Sequence, residues 1–386
     1  MARGRDFFVP AKRLSCNFHQ TFESFVYLPH IRFPVYYLLY SFLTSLLIAV
    51  ISIPSIIGIA RKLDLYDEPG ERKLHTRKVP LLGGLAIFAA TLIAFSIWAS
   101  PYFEQNNLFI LAALFILFFM GLRDDIIPVK PVYKLIGQIL AAYLVISFCD
   151  LRFTGMHGLF GIHTVSPTIG ALITTFVILF LINSYNLIDG SDGLAAGLGL
   201  IASLSFGLLF YLYHDLFMAV LSFSLAGALI GFLFFNFQPA KIFMGDTGSM
   251  TVGFILSILA IRFVELNKSS STLELFNHRS APVVVLAILI IPTIDALRVF
   301  VLRILKRRSP FKADRLHIHH KLLELGFSQE QVALVLYSIN VLFIIMSWLL
   351  RFENPTTLFY AFIFSALLLT QLPHFLLYYR KKRMIV

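Results

Sequence analysis

Charged residues are scarce in this chain, and cysteine is almost absent. Of its 386 residues, 14% are Asp, Glu, Lys or Arg, whereas 58% are hydrophobic and the mean hydropathy is +0.82. A soluble domain of this size needs more charge on its surface, so the composition indicates a membrane protein with several spans. The two cysteines, Cys16 and Cys149, lack the spacing of a CxxC motif or a metal site, and we expect them to be inert thiols.

The sequence also shows no evident secretory signal peptide. Residues 1–33 are polar and basic, and the first apolar run is too long for the hydrophobic part of a signal peptide. The net charge of +11 comes from basic residues between apolar runs, so it indicates membrane topology rather than a nucleic acid partner. We predict a polar basic N-terminal leader over 1–33 and one membrane-embedded domain over 34–386.

Long apolar runs, in contrast, are abundant. Crossing the hydrocarbon core of a bilayer takes about 20 apolar residues. Eleven runs are candidates, at roughly 34–60, 80–99, 108–122, 134–149, 166–183, 194–213, 216–235, 250–264, 281–303, 332–350 and 357–379. We therefore predict an all-α polytopic integral membrane protein with about eleven transmembrane helices. Basic residues cluster after the first run, after the ninth run and at the C-terminus, which places these regions in the cytoplasm. The basic leader then lies outside, against the same rule.

Four short polar segments interrupt or end the apolar runs. They read GLRDD (121–125), NLIDGSDG (186–193), FMGDTGS (243–249) and DRLHIHH (314–320). They follow the third, fifth, seventh and ninth runs, so alternation of the spans places all four on the cytoplasmic side. Acidic residues at membrane depth are costly and mark functional sites. We predict that the four segments converge into one site.

The first two segments carry closely spaced acids. Asp124 and Asp125 point about 100° apart on a helix, so one can act as a base or a ligand while the other orients Lys134 or a helix end. The second segment places three polar side chains at intervals of three, near one helix face: Asn186, Asp189 and Asp192. With neighbouring glycines, this pattern suits a nucleotide-phosphate or magnesium site, and a helix N-cap is the simpler alternative.

The third and fourth segments add a metal ligand, an aromatic ring and phosphate donors. Asp246 is a hard oxygen ligand of the kind that Mg²⁺ prefers. Phe243 could stack on a base, and Asn236 could read a base edge. The fourth segment contains a basic residue and three histidines: Arg315, His317, His319 and His320. Histidine clusters often bind zinc, but the basic surroundings favour donation to phosphate oxygens. The inventory is that of phosphoryl transfer between a soluble nucleotide and a membrane lipid.

Five ordered motifs resemble those of the polyprenyl-phosphate N-acetylhexosamine-1-phosphate transferases. They read DEPGERKLHTRKVPLLGG (67–84), GLRDD, NSYNLIDGSDGL (183–194), NFQPAKIFMGDTGS (236–249) and SPFKADRLHIHH (309–320), and they look most like the WecA and TagO branch. The resemblance runs from about Arg61 to Phe327. It implies a magnesium-dependent enzyme of the cell inner membrane, facing the cytoplasm, that moves a sugar 1-phosphate from a UDP-sugar to a polyprenyl phosphate and releases UMP.

The resemblance, together with the chemistry of the residues, assigns roles to thirteen positions. They are the catalytic Asp124, Asp125 and Asp189, the metal ligands Asp246 and Asn186, and the substrate-binding Lys134, Asp192, Asn236, Phe243, Arg315, His317, His319 and His320. Within the catalytic pair, the resemblance favours Asp124 as the base, whereas the role of Asp189 stays open.

The histidine segment bears on the donor. Related MurNAc-pentapeptide transferases carry three consecutive histidines, whereas this chain has HIHH. By this resemblance the segment favours a UDP-N-acetylhexosamine donor, first UDP-GlcNAc. The residue pattern is typical of bacteria, which implies undecaprenyl phosphate as the acceptor and a cell-surface polysaccharide as the end product. Two alternatives remain. The first is the phospho-MurNAc-pentapeptide transferase, and the second is a cation transporter, which would place its acids near the bilayer midplane. Three questions stay open: the epimer of the donor sugar, whether the chain forms a homodimer, and whether transfer takes one displacement step or two.

Overall fold

The structure is a computed structural model that describes residues 32–67, 78–269, 280–307 and 316–383. By compactness the chain divides into 1–36 and 37–386. Only the start of the first helix is described in the first unit, and the second unit contains everything below. The predicted leader, 1–33, lies outside the described residues except for 32–33, where the first helix has already begun.

The described residues are almost entirely helical. One antiparallel pair, β1 (Tyr66–Asp67) and β2 (Val79–Pro80), is the exception. The helices are α1 (Arg32–Lys62), α2 (Gly83–Trp98), α3 (Leu108–Ile126), α4 (Pro131–Phe148), α5 (Pro167–Ile188), α6 (Leu194–Leu212), α7 (Leu216–Asn236), α8 (Gly245–Ser269), α9 (Ala281–Ile288), α10 (Ile290–Leu305), α11 (Ile318–Glu324), α12 (Gln329–Leu349) and α13 (Pro355–Arg383).

Most of these helices are long and apolar enough to cross a membrane. Nine qualify among the described residues, and α9 with α10, which meet at a bend of 82°, would make a tenth span. Helix α2 is apolar but has only 16 residues. Each of the eleven predicted runs coincides with one of these helices or with the bent pair. The predicted all-α polytopic membrane fold is therefore confirmed, whereas the count of eleven spans stays a prediction.

Helix α8 lies at the centre of the bundle and packs against α2, α3 and α5. Glycines allow these helices to approach closely. A Cβ atom at Gly121 of α3 would lie 2.6 Å from the Cα of Thr247, and one at Gly84 of α2 would lie 2.1 Å from the backbone nitrogen of Gly248. Any side chain at these positions would push the helices apart. The close packing brings the C-terminal end of α3 to the N-terminal end of α8.

The segment that enters α8 is tied to β2 and the start of α2. The Phe243 amide donates to the Pro80 carbonyl at 2.9 Å, and the Gly83 amide donates to the Phe243 carbonyl at 2.9 Å. The Gly84 amide then donates to the Met244 carbonyl at 2.8 Å. These bonds fix the approach of the chain to Gly245, where α8 begins.

Candidate active site

The C-terminal ends of α3, α5 and α7 surround a cavity of about 570 Å³ at the N-terminal end of α8. Nine of the thirteen predicted site residues line it: Asp124, Asp125, Asn186, Asp189, Asp192, Asn236, Phe243, Asp246 and His320. The four predicted polar segments therefore do converge. Four further lining residues lie outside all the motifs on which the sequence prediction rests: Tyr66, Ile126, Pro128 and Gln329.

Two aspartates from other helices accept hydrogen bonds from the first backbone amides of α8. Asp125 of α3 accepts from the amides of Asp246 at 2.7 Å and Thr247 at 3.0 Å, and from the Thr247 hydroxyl at 2.5 Å. Asp189, just after α5, accepts from the Gly245 amide. The first amides of a helix have no partner within the helix and carry partial positive charge. Asp125 and Asp189 therefore fix the start of α8, and with it Asp246.

Asp246 contacts two other polar side chains of the site. Its Oδ1 accepts a hydrogen bond of 2.9 Å from the Asn186 amide, and its Oδ2 pairs with the Lys134 ammonium. Lys134 also pairs with Asp124 Oδ2 at 2.7 Å, so one cation bridges two carboxylates. The sequence predicted that one member of the adjacent pair would act as a base or a ligand while the other oriented Lys134 or a helix end. The structure places Asp124 on the lysine and Asp125 on the helix end.

Burial and neighbouring charges perturb Asp189 strongly. It is partly buried beside the cavity, and desolvation raises its pKa well above the usual range of a carboxyl group. The negative charges of Asp246, Asp125 and Asp192 raise that pKa further, whereas the bond from the Gly245 amide lowers it. Asp189 thus reports the excess of negative charge in this cavity, which a cation would relieve.

The loop that contains Asp192 is held by three other parts of the chain. Asp192 Oδ2 accepts from the Ala240 amide at 3.0 Å, and the Asp192 amide donates to Gln329 Oε1 at 2.9 Å. Asn236 accepts from the Gly193 amide at 3.0 Å and donates to the Ile242 carbonyl at 2.9 Å. We expected Asn236 to read a base edge. Both ends of its amide instead bond to backbone, so Asn236 positions the loop.

The three histidines occupy different environments. His320 lines the cavity, whereas His317 is buried and donates from Nδ1 to Asp295 Oδ2 of α10 at 2.8 Å. His319 is 1% exposed, and neither of its ring nitrogens has a hydrogen-bond partner among the described residues. Burial, followed by the adjacent His320, lowers the pKa of His319 to about 3, so it is neutral at physiological pH. Arg315 lies outside the described residues.

The residues present fit Mg²⁺. Magnesium is typically held by one or two protein carboxylates, waters and substrate phosphates rather than by a full protein cage. Asp246 supplies such a carboxylate, Asn186 contacts it directly, and the Lys134 ammonium already lies between Asp246 and Asp124. Within the described parts of the chain, no group of three or more His, Cys, Asp or Glu side chains is arranged to hold a metal.

Comparison with known proteins identifies the family to which the chain is similar. A model described as glycosyl transferase family 4 matches residues 107–264, which include every aspartate of the cavity. The chain is 32% identical over 317 residues to a probable undecaprenyl-phosphate N-acetylglucosaminyl 1-phosphate transferase of Bacillus subtilis, covering 81% of this chain and 84% of the relative. It is 33% identical over 318 residues to a decaprenyl-phosphate N-acetylglucosaminephosphotransferase of Mycobacterium tuberculosis, covering 76% and 78%.

An Escherichia coli K12 relative is named undecaprenyl-phosphate alpha-N-acetylglucosaminyl 1-phosphate transferase. It is 29% identical over 296 residues, which cover 74% of this chain and 78% of the relative. All three relatives are named for the transfer of N-acetylglucosamine phosphate to a polyprenyl phosphate. The three alignments cover 74–81% of this chain, so the likeness is not confined to the residues of the cavity.

Proposed function

This chain belongs to glycosyl transferase family 4, among the sugar-1-phosphate transferases of the membrane, and we propose that its donor is UDP-N-acetylglucosamine and its acceptor undecaprenyl phosphate. The products are UMP and undecaprenyl-diphosphate N-acetylglucosamine, the first lipid-linked intermediate of a cell-surface polysaccharide. The observation that carries the proposal is the convergence of five aspartates and one lysine at the end of a membrane bundle, in a chain with relatives of that named activity. Phosphoryl transfer needs this kind of positioning and charge neutralisation.

The donor binds with its diphosphate near Asp246 and His320. Phe243 and Asp192 line the same cavity and contact the nucleoside end, whereas His320 donates to the phosphate oxygens, the role that the sequence also predicts for Arg315. When bound at Asp246, with Asn186 as a second ligand, Mg²⁺ supplies charge neutralisation on the diphosphate.

Asp124 is the base. A phosphate monoester has a second pKa near 6, so the acceptor phosphate keeps only a residual proton at neutral pH. Asp125 already bonds to the start of α8, and Asp189 accepts from the Gly245 amide at the same helix start. Asp124 instead contacts a partly exposed lysine, which can turn to the acceptor phosphate.

The acceptor oxygen then attacks the sugar-linked phosphorus of the donor. A new P–O bond forms, the bond to the UMP oxygen breaks, and UMP leaves. One such displacement inverts the configuration at a chiral, isotopically labelled phosphorus. Retention, or a phosphorylated Asp124, would show a two-step route through an aspartyl phosphate.

The cavity faces the cytoplasm of the cell inner membrane. Basic residues end α1 (Arg61 and Lys62) and follow α10 (Lys306 and Arg307), and positive charge favours the cytoplasmic side. UDP-sugars are water-soluble, so an opening on this side gives the donor access. The acceptor reaches the same site from the surrounding lipid.

The test uses the full chain in proteoliposomes with undecaprenyl phosphate, Mg²⁺ and radiolabelled UDP-GlcNAc. The expected products are equimolar UMP and a labelled lipid diphosphate. Parallel reactions with UDP-GalNAc and UDP-MurNAc-pentapeptide examine the donor, and Asp124→Asn is the inactive control. Release of UDP instead of UMP would contradict the proposal, and preference for either other donor would contradict the assignment of the sugar.

A further inference from the structure

Helix α10 buries two charged side chains one turn apart, outside the residues that line the cavity. Asp295 is 2% exposed and Arg298 is 4% exposed. Asp295 Oδ1 accepts from the Ile318 amide at 2.9 Å, and its Oδ2 accepts from His317 Nδ1 at 2.8 Å. Arg298 donates to the Leu316 carbonyl at 2.9 Å. Three successive residues of the histidine segment are thus attached to one helix.

The attached residues lie directly before the two histidines nearest the cavity. His320 lines the cavity, and a Cβ atom at Gly190 would lie 3.3 Å from His319 Nε2. Helix α11 begins at Ile318, so the bond from the Ile318 amide to Asp295 fixes where α11 starts and how it is rotated. The direction of His320 follows from that start.

We infer that Asp295 is a positioning residue for donor binding and acts through His317, which is a structural link rather than a ligand of the substrate. A buried carboxylate is costly unless its oxygens are satisfied. Here both oxygens of Asp295 bond to the histidine segment. Because a carboxylate only accepts, His317 carries its proton on Nδ1. The kinetic part of this inference rests on the proposed function.

Two substitutions of His317 separate a link from a ligand. The amide of asparagine can take the place of Nδ1, whereas the amide of glutamine reaches the place of Nε2. We expect His317→Asn to keep the KM for the donor within about 2-fold, because the bond to Asp295 survives. We expect His317→Gln and Asp295→Leu to raise this KM by about 10-fold while kcat stays within about 3-fold. The reverse order for the two His317 variants would make His317 a substrate ligand and overturn the inference.

A matched control addresses stability. Asn340 of α12 is buried and donates to the Ile288 carbonyl at the bend between α9 and α10 at 3.1 Å, and its side chain has no hydrogen bond to the described part of the histidine segment, 316–320. We expect Asn340→Ala to lower the thermal midpoint in detergent and to leave the KM for the donor unchanged. If the KM for the donor rises as much in Asn340→Ala as in His317→Gln, any loosening of the bend weakens donor binding. That result would overturn the inference.

A readout without substrate separates this inference from the proposed function. Diethylpyrocarbonate modifies histidine rings, and peptide mass spectrometry measures the rate of this modification at His320. That rate depends on the orientation and accessibility of the His320 ring. We expect an unchanged rate in His317→Asn and an altered rate in His317→Gln. Kinetics use whichever UDP-sugar the wild type turns over, so a wrong donor sugar leaves the comparison intact. The inference is wrong if both variants keep the wild-type modification rate and the wild-type KM for the donor. It is also wrong if both variants change these two quantities by the same amount.

Discussion

Replacing Asp125 should weaken the start of α8 and displace Asp246. Asp125 accepts three hydrogen bonds there, from two backbone amides and the Thr247 hydroxyl. Loss of a helix cap costs about 0.5–2 kcal/mol, and hydrogen bonds to charged groups contribute about 1.5–3 kcal/mol each. The cavity lies beside these amides, so water can replace part of the lost bonding. We therefore expect Asp125→Ala to cost about 2–3 kcal/mol of folding free energy.

The same change should lower activity without removing a reacting group. A displacement of about 1 Å can cost about 100-fold in rate, and Asp246 lies within the turn that Asp125 holds. We expect a loss of about that size in kcat, together with a thermal midpoint lowered by about 4 °C or more. Asp125→Asn keeps one acceptor oxygen, so its losses should be intermediate.

Asp124→Asn is the matched comparison. The Val129 amide donates a hydrogen bond of 2.7 Å to Asp124, and asparagine keeps an oxygen that can accept it. The ion pair with Lys134 is lost, but that pair is partly exposed. Such pairs contribute about 1 kcal/mol at most. We expect this variant to lose activity with a nearly unchanged midpoint, measured as the temperature at which monodisperse protein disappears in detergent. Equal midpoints for Asp124→Asn and Asp125→Ala would refute the division of labour between the two aspartates.

Three further outcomes follow from the site. Asp246→Asn should abolish turnover at every Mg²⁺ concentration, and normal magnesium dependence in a titration would contradict its assignment as the metal ligand. The pKa of His319 is lowered to about 3, against an ordinary value near 6.5. Between about pH 6.5 and about pH 3, His319 therefore binds a proton in the unfolded chain but not in the folded protein. Stability should therefore fall as pH drops through that window, and His319→Gln should show a smaller fall in thermal midpoint. In a cysteine-free background, Lys130→Cys should resist an impermeant thiol reagent in intact cells, whereas Glu104→Cys should react. The opposite labelling would reverse the topology.

The shared side of the polar segments was predictable because it follows from parity. Polar segments that end alternate spans lie on the same side of a membrane, so they could converge, whereas their meeting in one cavity depends on how the helices pack. The individual bonds were not predictable. Asn236 and Gln329 both hold the loop of Asp192, yet 92 residues separate them, and only the packed bundle brings them together.

Asp295 carried a signal that the sequence reasoning did not use. It is an acid within the apolar run 281–303, with Arg298 one turn later, and an intramembrane ionisable residue marks a functional position by default. The four polar segments are recognisable in the sequence because glycines and polar residues cluster in them. Asp295 stands outside those clusters, and its bonds to His317 and Ile318 depend on the bend between α9 and α10. That bend cannot be read from an apolar run of ordinary length.

The balance of charge in the cavity gives Lys134 a second role. Five aspartates line the cavity, and Lys134 pairs with two of them, Asp124 and Asp246. In the proposed mechanism its ammonium would compete with a metal ion for Asp246 and would also offer a positive charge to the acceptor phosphate. Two unit charges about 4 Å apart interact by about 4 kcal/mol at an effective dielectric constant of about 20, and partial exposure reduces this value.

Removal of that charge should therefore act on metal and acceptor in opposite directions. We expect Lys134→Gln to lower the Mg²⁺ concentration for half-maximal activity by about 3- to 10-fold, because the competing cation is gone. We expect the same variant to have a lower kcat and a higher KM for undecaprenyl phosphate, because the acceptor loses a positive partner. Lys134→Arg keeps the charge and should keep the wild-type magnesium requirement. If Lys134→Gln needs more magnesium than the wild type, the ammonium helps to build the metal site, and the competition between the two cations does not exist.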